Sequence, residues 1–293
     1  MSLASFMMRR GCKKSDARRD AGLTTPADVE RFDNISYGPG KMNVLDVYRP
    51  KDKEGQTLPV IVSVHGGGWV YGDKDLYQHY CMSLARRGFA VVNFTYRLSP
   101  EYKFPCHLED TATVFNWVLK NADRYGMDKD NIFAVGDSAG GHILSLFCIL
   151  CTNPDYAAKY DFITPDGFVP KAVALNCGVY DVKLAVSGAS NTKKLMKDVL
   201  PGRGTPEEFG LISPVDHVTE KFPPCYIMTA NEDFLKDQPK PLMEKLDQLG
   251  VAYKYKMYGD EKHVLGHVFH LNMHNETGKL CNDEQCEWFR EFL

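Results

Sequence analysis

The sequence lacks several features that define whole classes of protein. The 293 residues contain no run of 18 or more consecutive apolar residues, so we predict no membrane-spanning helix and no membrane partner. Internal repeats and low-complexity tracts are also absent, and a single folded domain over residues 1–293 is expected. The formal charge is −3, which gives no electrostatic reason to expect a nucleic acid partner.

The cysteine pattern excludes a disulfide framework and a familiar zinc site. The nine cysteines are an odd number, and several lie in apolar segments such as residues 147–151. This pattern is typical of reduced thiols, and we predict a cytoplasmic location. The spacing of Cys281 from Cys286 does not match a structural zinc site. We therefore expect no metal ligands.

The first 20 residues are rich in arginine and lysine. No apolar core follows these charges, as a secretory signal would require. We interpret this segment as a solvated arm or helix.

Short β-branched runs alternate with longer helical patterns along the chain. This alternation predicts an α/β fold with a mostly parallel sheet of roughly eight strands and helices on both faces. The predicted strands are 34–37, 44–48, 58–64, 89–96, 131–135, 171–177, 225–229 and 252–258. Residues 181–222 contain no clear strand, and we predict that they form a small cap together with residues 1–30.

The segment Gly136-Asp137-Ser138-Ala139-Gly140 lies between a predicted strand and a predicted apolar helix. A Gly-x-Ser-x-Gly sequence in this context is typical of a nucleophile elbow. The turn strains the serine backbone, so the residues two before and two after it must be small. The amides and dipole of a helix that begins at the serine favour a developing negative charge. Ser138 is therefore the predicted nucleophile.

A glycine run, His65-Gly66-Gly67-Gly68-Trp69, directly follows the predicted strand 58–64. Glycines allow the backbone to approach a ligand and to direct amides into a cleft. In an elbow-type hydrolase this loop supplies the oxyanion hole, here predicted as the amides of Gly67, Gly68 and Ala139. A phosphate-binding loop is the weaker interpretation, because neither the Rossmann spacing nor a Gly-Lys-Ser/Thr ending is present. We interpret His65 as structural.

A serine nucleophile needs a base, and the base needs an orienting acid. In elbow-type hydrolases the order along the chain is serine, acid, histidine. Asp233 follows the strand 225–229, although Glu232 and Asp237 are close alternatives. The base should follow the last strand, where four histidines occur: His263, His267, His270 and His274. The residues alone leave this choice open.

Taken together, these motifs resemble the hormone-sensitive-lipase-like esterases, or bacterial acetyl-esterase group. The similarity extends from about Leu58 to the end of the chain. It rests on the sequence HGGGW at 65–69, on Tyr-Arg-Leu-Ser-Pro-Glu at 96–101 with Phe104-Pro105, and on GDSAGG at 136–141. The resemblance implies an α/β-hydrolase fold with no metal or organic cofactor.

The resemblance also implies roles for individual residues. These are Ser138 as nucleophile, Asp233 as acid, His267 as base, and the amides of Gly67, Gly68 and Ala139 as oxyanion hole. His267 matches the His-x-Phe pattern of the group, but Val268 stands where the group usually has glycine, and the loop is longer. These two departures keep His263 as an alternative base.

The implied activity is that of a serine carboxylesterase that hydrolyses short-chain, above all acetyl, esters of small molecules. One alternative is an amide hydrolase of the arylformamidase type, which shares the glycine-rich loop. A second is a catalytically dead receptor like the gibberellin receptors, which retain the elbow but have lost the base. A homodimer through the last strand or the cap is also considered.

Overall fold

A computed structural model describes residues 1–188 and 190–293. Its sheet contains eight strands in the order β1-β2-β4-β3-β5-β6-β7-β8. The strands are β1 (Val29–Ser36), β2 (Val44–Pro50), β3 (Leu58–Val64), β4 (Ala90–Phe94), β5 (Met127–Asp137), β6 (Val173–Asn176), β7 (Cys225–Ala230) and β8 (Tyr253–Tyr258). Strand β2 is antiparallel to both β1 and β4, and the remaining neighbours are parallel. The predicted mostly parallel, eight-stranded sheet is confirmed.

The central strands are buried on both faces, which explains their nearly continuous apolar sequences. In β3, Val60, Val62 and Val64 pack into one hydrophobic cluster, whereas Ile61 packs into a second. Side chains alternate between the two faces of a strand, so the two clusters lie on opposite sides of the sheet. Burial of these side chains, at about 25 cal/mol per Å² of apolar surface, is the main stabilisation of the fold.

Helices cover both faces, as predicted. Their bounds are α1 (Leu3–Arg19), α2 (Lys74–Ala85), α3 (Cys106–Asn121), α4 (Ala139–Thr152), α5 (Pro154–Ala157), α6 (Val182–Ala185), α7 (Asn191–Val199), α8 (Pro206–Leu211), α9 (Pro239–Leu249) and α10 (Glu276–Arg290). The apolar residues of α2 and α10 join one cluster, and those of α3, α4 and α9 join the other.

Polar side chains cap the beginnings of two helices. The side chain of Asp73 accepts a hydrogen bond from the amide of Leu76, and α2 begins at Lys74. The side chain of Asn275 accepts a hydrogen bond from the amide of Gly278, and α10 begins at Glu276. Such side chains satisfy amides that have no partner within the helix.

The two segments predicted as a cap are helical, and we refer to α1 and α6–α8 together as the cap. Helix α1 contacts α7, where the Ser5 hydroxyl donates a hydrogen bond of 2.6 Å to Asp198 Oδ2. Within residues 1–188 and 190–293, no helix is both long enough and apolar enough to cross a bilayer.

Candidate active site

Ser138 lies at a sharp turn between β5 and α4. Its backbone has φ 51° and ψ −119°, a conformation that strains any residue with a side chain. The turn also brings Gly140 against β3, where an added Cβ would lie 2.0 Å from the carbonyl oxygen of Val64. The local geometry is thus the one that a Gly-x-Ser-x-Gly elbow requires.

Two hydrogen bonds join Ser138, His267 and Asp233 in a chain. His267 Nε2 lies 2.9 Å from Ser138 Oγ, and its Nδ1 lies 2.8 Å from Asp233 Oδ1. Asp233 Oδ1 also accepts a hydrogen bond of 2.8 Å from the amide of Leu235. Burial alone would raise the pKa of Asp233, but its bond to His267 and the charge of that ring lower the pKa below its usual value.

The alternative bases and acids lie elsewhere. The His263 side chain is 81% exposed and pairs with Asp260, so it does not reach Ser138. His270 is buried against Tyr80 and Asn176, and His274 lies near the carbonyl of Ala21. Within the described part of the chain, neither Glu232 nor Asp237 forms an ion pair with a histidine.

Val268, the departure from the resembled pattern, occupies a conformation that favours glycine. Its backbone has φ 54° and ψ 33°, in the left-handed region. A β-branched residue there is strained by about 1–2 kcal/mol. The turn after His267 therefore keeps its geometry despite the valine, and the substitution does not move the ring away from Ser138.

The glycine loop places unpaired amides beside the serine. Gly67 and Gly68 have φ of 110° and 58° and line the same cavity as Ser138. Within residues 1–188 and 190–293, the amides of Gly67, Gly68 and Ala139 donate to no protein acceptor. The amide of Gly66 is different, because it donates to the hydroxyl of Tyr77 at 2.8 Å.

Tyr77 links the glycine loop to the elbow. Its hydroxyl accepts from Gly66 and donates to Asp137 Oδ2 at 2.7 Å, directly before Ser138. Burial raises the pKa of Asp137 to about 7. This bridge was not predicted from the sequence, because Tyr77 belongs to no motif and its position on the buried face of α2 is its one sequence signal.

The contacts of His65 support its interpretation as a structural residue of the glycine loop. The Tyr96 hydroxyl donates to the carbonyl of His65 at 2.9 Å, and the two rings stack with centroids 3.9 Å apart. Burial lowers the pKa of His65 to about 4, so the ring is neutral. On the other side of the loop, Trp69 Nε1 donates to His142 Nδ1 on α4.

A cavity of about 1180 Å³ lies above these groups. Its base includes Ser138 and His267, and its walls include residues of α1 and α7. Phe234, which is 72% exposed, packs against His267 with ring centroids 4.4 Å apart at the opening. Helix α1 lies within residues 1–30, which the sequence predicts as part of the cap, whereas Phe234 carries no motif and was not assigned to the site.

One group of side chains near the site could in principle hold a metal ion. Ligand atoms of Cys177, Asp233 and His267 all lie within 4.8 Å of one another. Burial raises the pKa of the Cys177 thiol well above its usual value, whereas a metal ligand must be a thiolate. Asp233 and His267 already bind each other, so these residues do not form a convincing metal site.

Known proteins to which the chain is similar include esterases. It is 29% identical to esterase LipC of Mycobacterium tuberculosis over 72% of this chain and 54% of that protein. It is 28% identical to the versiconal hemiacetal acetate esterase of Dothistroma septosporum over 74% of this chain and 69% of that protein. The chain spans about half the length of the mycobacterial relatives LipC, LipQ and LipM.

The solved structures show the same fold. A structure of esterase B from Lactobacillus rhamnosis, inhibited with a tributyrin phosphonate, superposes with a TM-score of 0.89 at 25% identity, covering 98% of this chain and 94% of that one. The predicted α/β-hydrolase fold and the resemblance to this esterase group are thereby confirmed. The family model described as BD-FAE matches residues 45–246. Because this match covers well over half of the 293 residues, the chain belongs to the BD-FAE family.

Proposed function

We propose that this protein is a serine carboxylesterase in which Ser138 is the nucleophile, His267 the base and Asp233 the orienting acid. The observation that carries the proposal is the pair of hydrogen bonds, 2.9 Å and 2.8 Å, that joins these side chains. A serine hydroxyl, a histidine and a buried carboxylate in this order form the recurring constellation of acyl-transfer enzymes.

The proposed reaction proceeds through an acyl-enzyme. His267 removes the hydroxyl proton while Ser138 Oγ attacks the ester carbonyl, and the imidazolium is stabilised by Asp233. The negative oxygen of the tetrahedral intermediate is held by the amides of Gly67, Gly68 and Ala139. His267 then protonates the departing alcohol, and a water molecule that it activates hydrolyses the acyl-serine ester.

The proposed substrates are short-chain esters of small molecules, above all acetates. Two comparisons support this class: one relative is named as an acetate esterase, and the esterase B structure carries a phosphonate related to tributyrin. We further propose that α1 with residues 181–222 acts as the cap that limits the substrate, since both segments line the cavity.

The proposal is tested by hydrolysis of p-nitrophenyl esters from acetate to palmitate. We expect the rate to be highest on the short chains and to fall at least ~10³-fold in Ser138→Ala and in His267→Ala. His263→Ala is the matched control, because this exposed histidine lies in the same loop, and its rate should equal that of the wild type.

Other outcomes would redirect the assignment. If no ester is cleaved but a fluorophosphonate labels Ser138, the serine is reactive, and an amide hydrolase replaces the carboxylesterase as the proposed function. If the fluorophosphonate fails to label the folded protein, the catalytic proposal is wrong and a ligand receptor remains. Full activity in Ser138→Ala would eliminate the serine mechanism itself.

A further inference from the structure

Helix α1 directs polar residues and the partly buried Ala4 and Met8 toward the protein, and it leaves other large apolar residues exposed to solvent. Its inner face is held by polar contacts: Ser5 bonds Asp198, Arg9 donates to the carbonyls of Val70 and Ser99, and Asp16 accepts from Tyr71. By contrast, its first turn exposes Leu3, Phe6 and Met7 by 73%, 48% and 64%. Because of this exposure, the three side chains bury little apolar surface in the fold.

Four exposed apolar side chains line the cavity. Leu3 and Met7 line it from α1, Leu184 from α6, and Phe234 from the loop beside His267. All four are among the exposed large hydrophobic residues of the described chain. Single exposed apolar residues are ordinary on a protein surface, whereas a contiguous group around an opening marks a binding surface.

Along the outer face of α1, the apolar residues near its beginning are followed by basic residues. Arg10, Lys13, Lys14 and Arg18 follow Leu3, Phe6 and Met7 at spacings of three and four residues, so they lie on one face of the helix. The adjacent α7 exposes Lys193, Lys194 and Lys197. Among the residues that the structure describes, none of these seven cations forms an ion pair.

We propose that this surface, the outer face of α1 with α7 and the rim of the cavity, docks on an anionic phospholipid bilayer. Apolar side chains of an interfacial helix insert at the headgroup boundary, and its cations meet the anionic headgroups. The docking is peripheral and requires no spanning helix, but it departs from the expectation, based on the sequence, of no membrane partner. It would turn the opening of the cavity toward esters dissolved in the lipid, a consequence that rests on the proposed function.

Charge argues against a second copy of the chain as the occupant. Helices α1 and α7 contain nine lysines and arginines and two aspartates, although the whole chain carries a formal charge of −3. A two-fold interface through this surface would bring these like charges together. A nucleic acid would meet the cations but leave Leu3 and Met7 without partners.

The test is co-sedimentation of the full chain with vesicles of phosphatidylcholine alone and of phosphatidylcholine mixed with phosphatidylserine. We expect binding to the mixed vesicles, and its loss at high salt, because about 1 M salt shortens the Debye length to about 3 Å. Exchange of two cations, in K13E/K14E, should weaken this binding by about tenfold or more. The double variant F6S/M7S should reduce it to the level of phosphatidylcholine alone.

Matched controls separate this surface from general effects of charge and hydrophobicity. Leu280 on α10 is 49% exposed, so L280S removes an equally exposed apolar side chain away from the cap and should bind as the wild type does. The variant K240E/K254E changes the net charge as much as K13E/K14E does and should retain binding. Thermal unfolding checks that each variant is folded.

Three results would overturn the proposal. The first is equal sedimentation with both kinds of vesicle, and the second is equal weakening in K240E/K254E. The third is a change from dimer to monomer in F6S/M7S by light scattering, which would make this surface an interface between copies. Because Ser138→Ala should bind vesicles like the wild type, failure of the docking is distinguishable from failure of the proposed chemistry.

Discussion

The sheet edge that carries Ser138 and the cap above it are held in place by different kinds of interaction. At the sheet edge, backbone geometry dominates: Ser138 is strained, and Gly140 packs directly against the carbonyl of Val64. In the cap, side-chain pairs dominate, such as Ser5 with Asp198 and Asp16 with Tyr71. The sheet edge therefore tolerates almost no change, whereas single contacts of the cap can be lost without loss of the fold.

The largest expected effect comes from a comparison of two glycine substitutions, one at the sheet edge and one in the cap. Gly140→Ala places a methyl group 2.0 Å from a backbone oxygen, and we expect a loss of about 3 kcal/mol or more in unfolding free energy, with loss of activity. Gly11→Ala on α1 meets no atom within 4 Å and should stabilise the helix by about 0.5–1 kcal/mol. Thermal unfolding measures both, and equal melting temperatures would contradict the comparison.

The second prediction concerns the bridge between the two loops of the sheet edge. Tyr77→Phe leaves the amide of Gly66 and the carboxyl of Asp137 without their shared partner, so the glycine loop should shift. We expect kcat to fall by about 10- to 100-fold with little change in KM, since small misplacements of catalytic groups are costly.

Tyr80→Phe is the matched control for this bridge. Its hydroxyl lies on the same helix and accepts from Gln285, away from the glycine loop. It should lower stability by about 1 kcal/mol without changing kcat. If both tyrosine variants lose kcat equally, Tyr77 is a packing residue and not a positioning residue.

The third prediction is a pH dependence of stability at the same edge. Because burial raises the pKa of Asp137 to about 7, the folded chain binds more protons than the unfolded chain between the unfolded pKa of about 3.9 and this value. Stability from this residue is therefore lost as pH rises through that window. Asp137→Asn should gain melting temperature relative to the wild type between about pH 5 and about pH 8, and a constant difference would refute the assignment.

The smallest effect is expected in the cap. Ser5→Ala removes one of two hydrogen bonds to Asp198 and should cost about 1 kcal/mol locally. Hydrogen exchange should then be faster in the amides of α1, while the amides of β3 and β5 keep their protection. Uniform acceleration across the chain would mean that the cap and the sheet unfold as one unit.

The sequence predicts the sheet edge well, because short motifs encode it. The strand 58–64 was predicted with the bounds of β3, and the elbow at Ser138 has the conformation that its glycines imply. Asp233 and His267 needed the resemblance, because four histidines crowd one loop. Their contact depends on how that loop closes, including a left-handed Val268, which local sequence does not predict.

The sequence predicts the approximate bounds of the cap but not the contacts that hold it in place. Its contacts join residues far apart in sequence, as with Ser5 and Asp198, 193 positions apart. The bridge of Tyr77 to Asp137 spans 60 positions and has the same cause. Pairs of this kind leave no periodicity in a single sequence, so the contacts that hold α1 in the cap were not predicted.

Helix α1 is attached to the rest of the protein through side-chain contacts, which makes it a separable element of the fold. No strand of the sheet takes its hydrogen bonds from this helix, and the glycine loop keeps its own supports in Tyr77, Tyr96 and His142. We therefore expect that residues 3–19 can be exchanged for a helix of different composition while Ser138, His267 and Asp233 keep their hydrogen bonds. Such an exchange would alter the proposed substrate range without altering the proposed catalytic residues.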